Sequence, residues 1–521
     1  MLMGRVRGMT DRGRVIVLFR AGLGLVFLAA FLSLAVQLRD LVGARGLLPW
    51  ADFLARLGSS QAGTLQRVLA FPTVFLFIHG DAAFLIVPLL GASISILLVL
   101  GIGGRAVPFF LWLLYLSCIT AGRDFFFYQW DNLLMETSLL AILLPAGGTL
   151  LDLVRGRPLP EPQPMALFLV KWLLFRLLFE SGLAKIEAGK DTWLNFTAMT
   201  YYYETAPLPS WGGWLVQQFP LWFHQLSVFF TFFVELALAL LIFLPRRFRL
   251  LFFAIHLPFQ VSIGLTSNYG FFNLLSIVLS LACLEDRDLD AARRTAGRML
   301  RLVRPGAAGA QTAAAESAAA PPEARRRNVL ARVPGWALAL LLVPASIVEA
   351  LGYFAPSMIQ GRDLARVRGL YTPFRSVNVY HLFPGILRER IVAEIEGTPD
   401  GVEWRPYHLR YAPGDPRDPP PMTYLHNPRF PFHYSFWTLG RGRRDEEYVG
   451  NLARRLCCDP AAVARLFKDD PFPSSGPRAL RIVYYRYRFG RRADLSLGNY
   501  WLREQVGGPT RPYTCSCAPA P

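Results

Sequence analysis

The sequence predicts a polytopic α-helical membrane bundle of about nine spans, followed by a soluble extracytoplasmic domain that is β-rich (α+β). Two observations predict the bundle: 53% of the 521 residues are hydrophobic, and the mean hydropathy of +0.32 is higher than a soluble protein of this size needs to fill its cores. A third observation predicts the second domain. From about residue 370, short aromatic runs separated by turn residues replace the long apolar runs.

Apolar runs long enough, or nearly long enough, to cross about 30 Å of hydrocarbon define the bundle. Residues 15–37 are too long for the core of a signal peptide and lack a convincing cleavage site, so this run is interpreted as the first span. A helical membrane domain is therefore expected over residues 15–284, with one last span after it. The predicted spans are 15–37, 82–102, 107–121, 125–145, 166–186, 221–244, 247–267, 270–284 and 335–354.

The distribution of arginine predicts the orientation of these spans. With the basic N-terminus, residues 1–14, in the cytoplasm, every Arg-rich loop also falls on the cytoplasmic side, as the positive-inside rule requires. These loops are residues 103–105, 152–158, 245–249 and the long basic linker 285–334. The last span then carries the chain out. We expect a multi-pass protein of the bacterial inner membrane, or of the endoplasmic reticulum membrane in a eukaryote, with an extracytoplasmic C-terminal domain.

The net charge of +18 comes in part from the same Arg-rich loops. Arginine gathers in short runs between apolar stretches, which is typical of loops held by anionic lipid. No zinc finger, basic helix or aromatic RNA-binding signature accompanies it. Membrane lipids are therefore expected partners and nucleic acid is not. Within the linker, residues 305–322 (PGAAGAQTAAAESAAAPP) are of low complexity and predict a flexible segment.

The extracytoplasmic domain is expected over residues 370–510, with strands at 391–396, 402–411 and 481–489 and a disordered tail at 511–521. Cys118 and Cys283 lie in apolar runs and are interpreted as packing residues. The remaining cysteines leave alternatives open. The pair at 515 and 517 could bond to each other, could reach back to the pair at 457 and 458, or could stay unpaired in a frayed tail.

Polar residues interrupt the apolar sequence in YQWDNLLMET (128–137), GLAKIEAGKDTWLNFTAMTYYYETAPLP (182–209) and SNYGFFN (267–273). In the predicted topology all three stretches meet at the extracytoplasmic face, where they predict a polar site. No metal-ligand spacing is present, and neither a metal nor a cofactor is expected. The site residues are Trp130, Asp131, Asn132, Glu136, Lys185, Trp193, Tyr203, Glu204, Asn268 and Asn273.

Charges inside the spans each cost at least about 2.5–3.5 kcal/mol unless they are paired or hydrated. Arg176 and Glu180 are four residues apart on one helix and are expected to pair. Lys185 has two possible roles. A desolvated lysine gives up its proton readily and could act as a base, whereas beside a carboxylate such as Asp131 or Glu187 it would stay charged as a structural partner.

Long ordered stretches in both halves of the chain carry a family resemblance. They are FYQWDNLLMETSLLAILL (127–144), LLFRLLFESGLAKIEAGKDTWLNFTAMTYYYETAPLP (173–209), WFHQLSVFFTFFVELALALLIFLPRR (222–247), SNYGFFNLLSIVLSLACLED (267–286), VAEIEGTPDGVEWRPYHLRYAPGD (392–415), HNPRFPFHYSFWTLG (426–440) and DPFP (470–473). These stretches resemble the lipase maturation factor family. The basic linker and the cysteine-containing tail depart from the family's pattern.

The resemblance implies a membrane protein that, in animals, resides in the endoplasmic reticulum and helps secreted lipases fold and assemble into active dimers. For this chain it implies assistance to the folding of exported client proteins, with lipases as one class of client. The outer domain of the family is associated with client contact. Four aromatic residues of that domain are candidates for this contact or for the domain's own core: Trp404, Tyr407, Phe432 and Trp437.

The membrane half also resembles, more remotely, the vitamin K-dependent γ-carboxylase (HTTM) group. In that group a lysine in a Gly-x-x-Lys setting is the base; Lys185 in GLAKIEAGKDTW matches it, and His256 matches a second family histidine. This resemblance implies an alternative function, an integral membrane enzyme that modifies exported substrates with Lys185 as base. The large lumenal domain of those enzymes is not evident here.

Overall fold

The computed structural model describes residues 11–58, 63–78, 80–303, 333–359, 362–438, 447–472 and 476–517. Its N-terminal part is helical throughout. In chain order the helices are α1 (Gly13–Ala35), α2 (Leu38–Val42), α3 (Trp50–Gly58), α4 (Thr64–Ala70), α5 (Ala83–Leu100), α6 (Ala106–Gly122), α7 (Gln129–Ile142), α8 (Leu150–Val154), α9 (Pro164–Ala188), α10 (Ala198–Thr205), α11 (Trp211–Gln217), α12 (Leu221–Phe232), α13 (Arg246–Thr266), α14 (Phe272–Ser280) and α15 (Asp286–Val303).

Within the described residues, six helical segments are long and apolar enough to cross a membrane. Their outward faces carry large exposed apolar side chains such as Leu89, Phe229 and Leu251, as expected for contact with lipid chains. The six segments, which include the short turns that extend α6 and α12, are Gly13–Ala35, Ala83–Leu100, Ala106–Phe126, Leu221–Phe243, Arg246–Thr266 and Gly335–Phe354.

The other three predicted spans form helices that are either too charged or too short to meet these criteria. α9 has 25 residues, about 38 Å of helix, but its sequence is too rich in charged residues for a simple apolar span. α7 has 14 residues and Phe272–Cys283 is a short apolar helix, so both fall short of the roughly 30 Å of a bilayer core. Counting apolar residues overestimated the two short helices because turn residues shorten them. Gly270, just before α14, has a φ of 56°, a conformation outside a right-handed helix.

α12 is extended by a π turn, Phe233–Ala237, and a 3₁₀ turn, Leu238–Phe243. The π turn lies against α9 at Gly182, where a Cβ atom would come within 2.6 Å of Leu236. The missing side chain therefore lets the two helices approach closely. Insertions of this kind occur frequently at functional sites.

The C-terminal part begins with α16 (Val333–Phe354) and α17 (Arg362–Tyr371) and continues into a small antiparallel sheet. The remaining elements are β1 (Arg390–Thr398), β2 (Arg405–Tyr407), α18 (Arg429–Thr438), α19 (Glu447–Cys458), β3 (Ala479–Phe489), α20 (Arg492–Leu495), β4 (Trp501–Gln505) and β5 (Tyr513–Thr514). The strand order is β2-β1-β3-β4, and β5 also pairs with β3. α18 packs on β1.

The predicted strands at 391–396 and 481–489 are confirmed as parts of β1 and β3, whereas 402–411 contributes only the three residues of β2. The tail differs from the prediction of disorder over the residues that the structure describes. Cys457 bonds to Cys515 and Cys458 bonds to Cys517, with Cα–Cα distances of 5.3 and 5.5 Å. The two disulfides tie the residues that follow β5 to the end of α19.

The basic linker begins with a helix. Residues 286–303 form α15. The low-complexity stretch 305–322 and most of the basic N-terminus lie outside the described residues.

Candidate functional site

Charged side chains gather at the end of the bundle where α1 and α13 begin, called here the Arg12 end. Arg249 lies 2.6 Å from Glu285, which also accepts a 3.3 Å hydrogen bond from Arg12. Arg14 bonds to Asp290 at 2.7 Å. All of these partners belong to the helical part, so this end of the bundle satisfies its own charges.

The opposite end, called here the domain end, is covered by the C-terminal part. Its central element is the connecting segment, residues 375–389, which leads from the turn after α17 into β1 without regular secondary structure. The polar face of α9 binds its backbone. Tyr380 N donates to Glu180 at 2.8 Å, and Lys185 Nζ donates to Leu382 O at 2.9 Å. One turn earlier, Arg176 donates to Asn378 O.

The two elements match in spacing. Two residues of extended chain advance about 6.6 Å, and four residues of helix advance about 6 Å. Alternate residues of the segment therefore meet successive turns of α9. An extended chain that packs against a helix instead of a strand needs other partners for the backbone N–H and C=O groups that it buries. The charged residues of α9 provide these partners.

Glu136 of α7 joins this network. It accepts hydrogen bonds from Arg176 Nη1 at 2.5 Å, from the Tyr380 hydroxyl at 2.8 Å and from Asn378 Nδ2 at 3.3 Å. Arg176 also bonds to Glu180 at 3.2 Å, which confirms the predicted i,i+4 pair. The four charged and hydroxyl side chains are buried, so each depends on the others for compensation.

Asp131 is fully buried and pairs with Arg429 of α18. The two Arg429 nitrogens lie 2.5 and 2.7 Å from the Asp131 oxygens, and the Tyr115 hydroxyl donates to the same carboxylate at 2.6 Å. Arg429 also lies over the Phe126 ring, with 4.2 Å to its centroid. This bidentate, stacked geometry suits arginine and is unavailable to lysine.

Lys185 pairs with Glu235 of the π turn at 2.8 and 2.9 Å. Together with Leu382 O and Ser181 O, at 2.9 and 3.4 Å, these oxygens occupy all the donor positions of the ammonium group. A base needs a free lone pair, and the Lys185 nitrogen is surrounded by oxygens that accept hydrogen bonds from it. The arrangement corresponds to the structural-partner role of Lys185. Its carboxylate partner is Glu235, whereas the sequence suggested Asp131 or Glu187.

Most of the other predicted site residues also contact the C-terminal part. Trp193 Nε1 donates to Phe383 O at 2.9 Å, and Asn268 accepts from Thr423 N at 2.9 Å. Asn132 accepts from Arg375 at 3.0 Å and Glu204 accepts from Phe489 N at 2.6 Å. Burial raises the pKa of Glu204. Trp130 packs edge to face on Phe432.

Three candidates do not take part in this interface. Tyr203 packs against Tyr202 and His224, and Asn273 Nδ2 donates to Gln260 Oε1 at 2.8 Å. His256 is fully buried, stacks on Phe252 and lies 3.2 Å from the Ser276 hydroxyl. The structure therefore places His256 among packing residues, apart from the Lys185 environment.

Two cavities flank the connecting segment. The first, of about 440 Å³, reaches Lys185, Glu235, Tyr203 and Asn273. The second, of about 280 Å³, lies between the helices and the C-terminal domain. Leu382 and Phe383 of the segment line both cavities, as do Tyr202, Tyr269 and Phe272.

The chain matches two family descriptions in succession. Residues 15–291 match the lipase maturation factor transmembrane domain, and residues 376–510 match the lipase maturation factor C-terminal domain. Bovine lipase maturation factor 1 is 31% identical over 514 residues, covering 94% of this chain and 87% of the relative. The chain belongs to the lipase maturation factor family. Mouse lipase maturation factor 2 is 30% identical, covering 94% of this chain and 81% of its own length. No solved structure gives a significant match.

Membership of the lipase maturation factor family, together with the six apolar helical segments, makes the protein an integral membrane protein. The interface at the domain end joins the two family domains to each other. Residues 15–291 supply Asp131, Glu136 and Lys185, and residues 376–510 supply their partners. The polar stretches singled out from the sequence therefore bind one domain of a lipase maturation factor to the other.

The aromatic candidates for client contact differ in exposure. Tyr407 and Phe432 are buried in the C-terminal domain, and Phe432 lines the second cavity. Trp404 and Trp437 are partly buried, and Arg481 lies over the Trp404 ring at 4.1 Å.

Sequence reasoning missed the partners that come from the C-terminal half. Arg429, Tyr380 and Arg390 are buried and bind the helical domain, Arg390 through the carbonyls of Ala206 and Pro207. A signal existed for Arg429, because a single arginine in the aromatic run PRFPFHYSFW requires a buried counter-charge. No comparable signal marks Tyr380.

Proposed function

We propose that this protein is a membrane-embedded maturation factor that assists the folding and assembly of exported proteins, lipases among them. The observation that carries the proposal is the relationship to proteins named lipase maturation factors, which extends over 94% of the chain and through both domains. The buried interface between the domains supports it, since the relationship includes the elements on both sides of that interface.

The proposed topology has a cytoplasmic Arg12 end and an extracytoplasmic domain end, with nine membrane-embedded helices that alternate in direction. Contacts at the Arg12 end support this arrangement. Arg20, near the start of α1, donates to Gly101 O after α5 and to Gly147 O after α7, at 3.3 and 2.9 Å. Two disulfides in the C-terminal domain support an oxidising compartment on the other side.

Single cysteines at two exposed apolar positions test the topology. Val154 follows α7 and is 82% exposed, and Leu497 of the C-terminal domain is 77% exposed. A membrane-impermeant maleimide added outside intact cells is expected to label Leu497→Cys and to label Val154→Cys only after the membrane is opened. The reverse pattern would invert the topology.

The second cavity is the proposed point of client contact. It is lined by Trp130 and Phe432, and Phe127 at its edge is 61% exposed. Trp130 Nε1 is buried and has no hydrogen-bond partner among the described residues. An aromatic pocket with an uncommitted donor suits an apolar side chain of a partly folded client together with its backbone carbonyl.

The function is tested by deleting the gene and measuring the activity of an exported lipase of the same organism, divided by the amount of lipase protein. Deletion is expected to lower this specific activity, and the wild-type chain to restore it. Phe127→Ser should restore it poorly, whereas Phe77→Ser, at a phenylalanine of 64% exposure, is the matched control. Unchanged specific activity across exported lipases in the deletion strain would refute the proposal.

The carboxylase-like alternative gains no support. The relatives found carry lipase maturation factor names, and the Lys185 ammonium is fully engaged by oxygens of Glu235, Leu382 and Ser181.

A further inference from the structure

The first cavity opens through the lipid-facing surface of the bundle. Three of its lining residues, Leu226, Phe230 and Ser262, are exposed, and they belong to Leu221–Phe243 and Arg246–Thr266. Both segments are candidate membrane spans with mostly unburied faces. A molecule dissolved in the bilayer can therefore enter between them without crossing water.

The wall of this cavity is predominantly apolar but retains uncommitted hydrogen-bonding groups. Gln260 and Asn273 are buried and bond to each other through one N–H and one oxygen. Whichever way the two amides are turned, one amide NH₂ and one amide oxygen remain unused by this bond. The Tyr269 hydroxyl is buried in the same wall, beside the hydroxyl groups of Tyr202 and Ser267.

The charge of the cavity is balanced. Lys185 and Glu235 are the charged residues of its lining, and they form an ion pair with each other. An ionised ligand, such as a fatty-acid carboxylate, would find no unpaired opposite charge in the cavity. It would therefore bear the full free-energy cost of desolvation. The lining therefore favours an uncharged ligand with a few acceptors and donors.

We propose that this cavity binds an acyl chain of an uncharged glycerolipid of the bilayer, with the ester or hydroxyl group of the lipid at the Gln260 and Asn273 side chains. The volume of about 440 Å³ lies within the range of roughly 300–1,000 Å³ found for small-molecule sites. A peptide is a poor occupant, because its backbone would bring more polar groups than the cavity can satisfy. This cavity and the proposed client pocket lie on either side of a shared wall, which includes Leu382 and Phe383.

The test uses the full chain in phosphatidylcholine nanodiscs that contain a diacylglycerol analogue with a photoreactive acyl chain. Illumination followed by peptide mapping is expected to label cavity residues such as Phe223 and Phe259. Ser262→Trp fills the mouth and should lower this labelling about tenfold. Ser93→Trp is the matched control, because Ser93 is also exposed on a candidate span and also bonds to a carbonyl of its own helix.

A photoreactive free fatty acid at neutral pH is expected to label the cavity about tenfold less than the diacylglycerol analogue. Leu226→Trp provides a second block at the mouth if Ser262→Trp does not fold. Equal labelling by the charged and uncharged probes overturns the proposal. Labelling that is spread evenly over the lipid-facing helices, and that neither mouth variant changes, also overturns the proposal.

Discussion

The two ends of the helical bundle satisfy their charges in different ways. At the Arg12 end, both partners of each ion pair come from the helical part, and one of the arginines, Arg246, has a side chain that is 34% exposed. At the domain end, the Asp131 and Arg429 side chains are 0% and 1% exposed, and the two residues come from different domains. Water can reach Arg246 if its partner is lost, but it cannot replace the arginine that pairs with Asp131.

This difference means that the domain end is stable only when the C-terminal domain is in place. The helical domain alone would leave Asp131 without its arginine. Such a dependence couples the folding of the two domains. Amino-acid substitutions and a change of pH should weaken this coupling, with expected losses of stability that range from large to small.

Arg429→Gln is expected to have the largest effect, because it leaves the Asp131 carboxylate buried with only the Tyr115 hydroxyl as a strong partner. The expected loss in the free energy of unfolding is about 3–5 kcal/mol. Arg246→Gln is the control at the Arg12 end and should cost no more than about 1 kcal/mol, because that pair is partly exposed. Denaturant unfolding in detergent measures both. Equal losses would contradict the contrast between the ends.

Removal of both disulfides, by Cys457→Ser with Cys458→Ser, is expected to come second. The disulfides close loops of 58 and 59 residues, which together contribute about 2–4 kcal/mol. Hydrogen exchange should speed up in β3 and β5 and then along the connecting segment. Exchange in α15 should not change; faster exchange there would mean that the two ends are not independent.

The third largest effect is expected from acid, which should weaken the domain end. Burial lowers the pKa of His426 to about 4, and Ser33 of α1 lies 2.9 Å from its ring nitrogen. Because the folded pKa is below the unfolded value of about 6.5, the unfolded state binds the proton first as the pH falls. The contribution of neutral His426 is complete above pH 6.5 and is lost towards pH 4.

At pH 5 the loss from this histidine should be about 2 kcal/mol. His426→Asn cannot titrate, so the difference between variant and wild type in the free energy of unfolding should change between pH 7 and pH 5. A difference that is constant with pH would show that His426 has the same pKa in the folded and unfolded states, and would contradict this prediction.

Trp193→Phe should have the smallest effect. It removes the hydrogen bond from Nε1 to Phe383 O but keeps most of the buried ring, so the expected loss is about 1 kcal/mol. Trp211→Phe, at a tryptophan that is 47% exposed, should change the free energy of unfolding by less than about 0.5 kcal/mol. Thermal unfolding of the two variants side by side makes the comparison.

Sequence patterns located the regions of this fold well because they depend on local composition. Apolar length found the helices, and the alternating run in β3 found the central strand. The polar stretches around Asp131, Lys185 and Asn268 all contact the C-terminal part of the chain. Their function as an inter-domain interface was not foreseen, since the notable chemistry of each stretch suggested a ligand site.

Partners were harder to predict than positions. Glu235 reaches Lys185 through a π turn and a glycine on the facing helix, and neither feature has a periodic signal. The connecting segment is extended without the alternation of a strand, because α9 and not a neighbouring strand satisfies its backbone. Pairing across hundreds of residues leaves no trace in a single sequence.

The separation of Asp131 and Arg429 by 298 positions also sets an order of events during biosynthesis. At roughly 5–20 residues per second, a ribosome needs about 15–60 seconds to add the arginine after the aspartate. During that interval the helices are already in the membrane with an uncompensated charge. A nascent maturation factor is then itself an immature membrane protein, exposed to the quality-control machinery of its compartment until its last domain arrives.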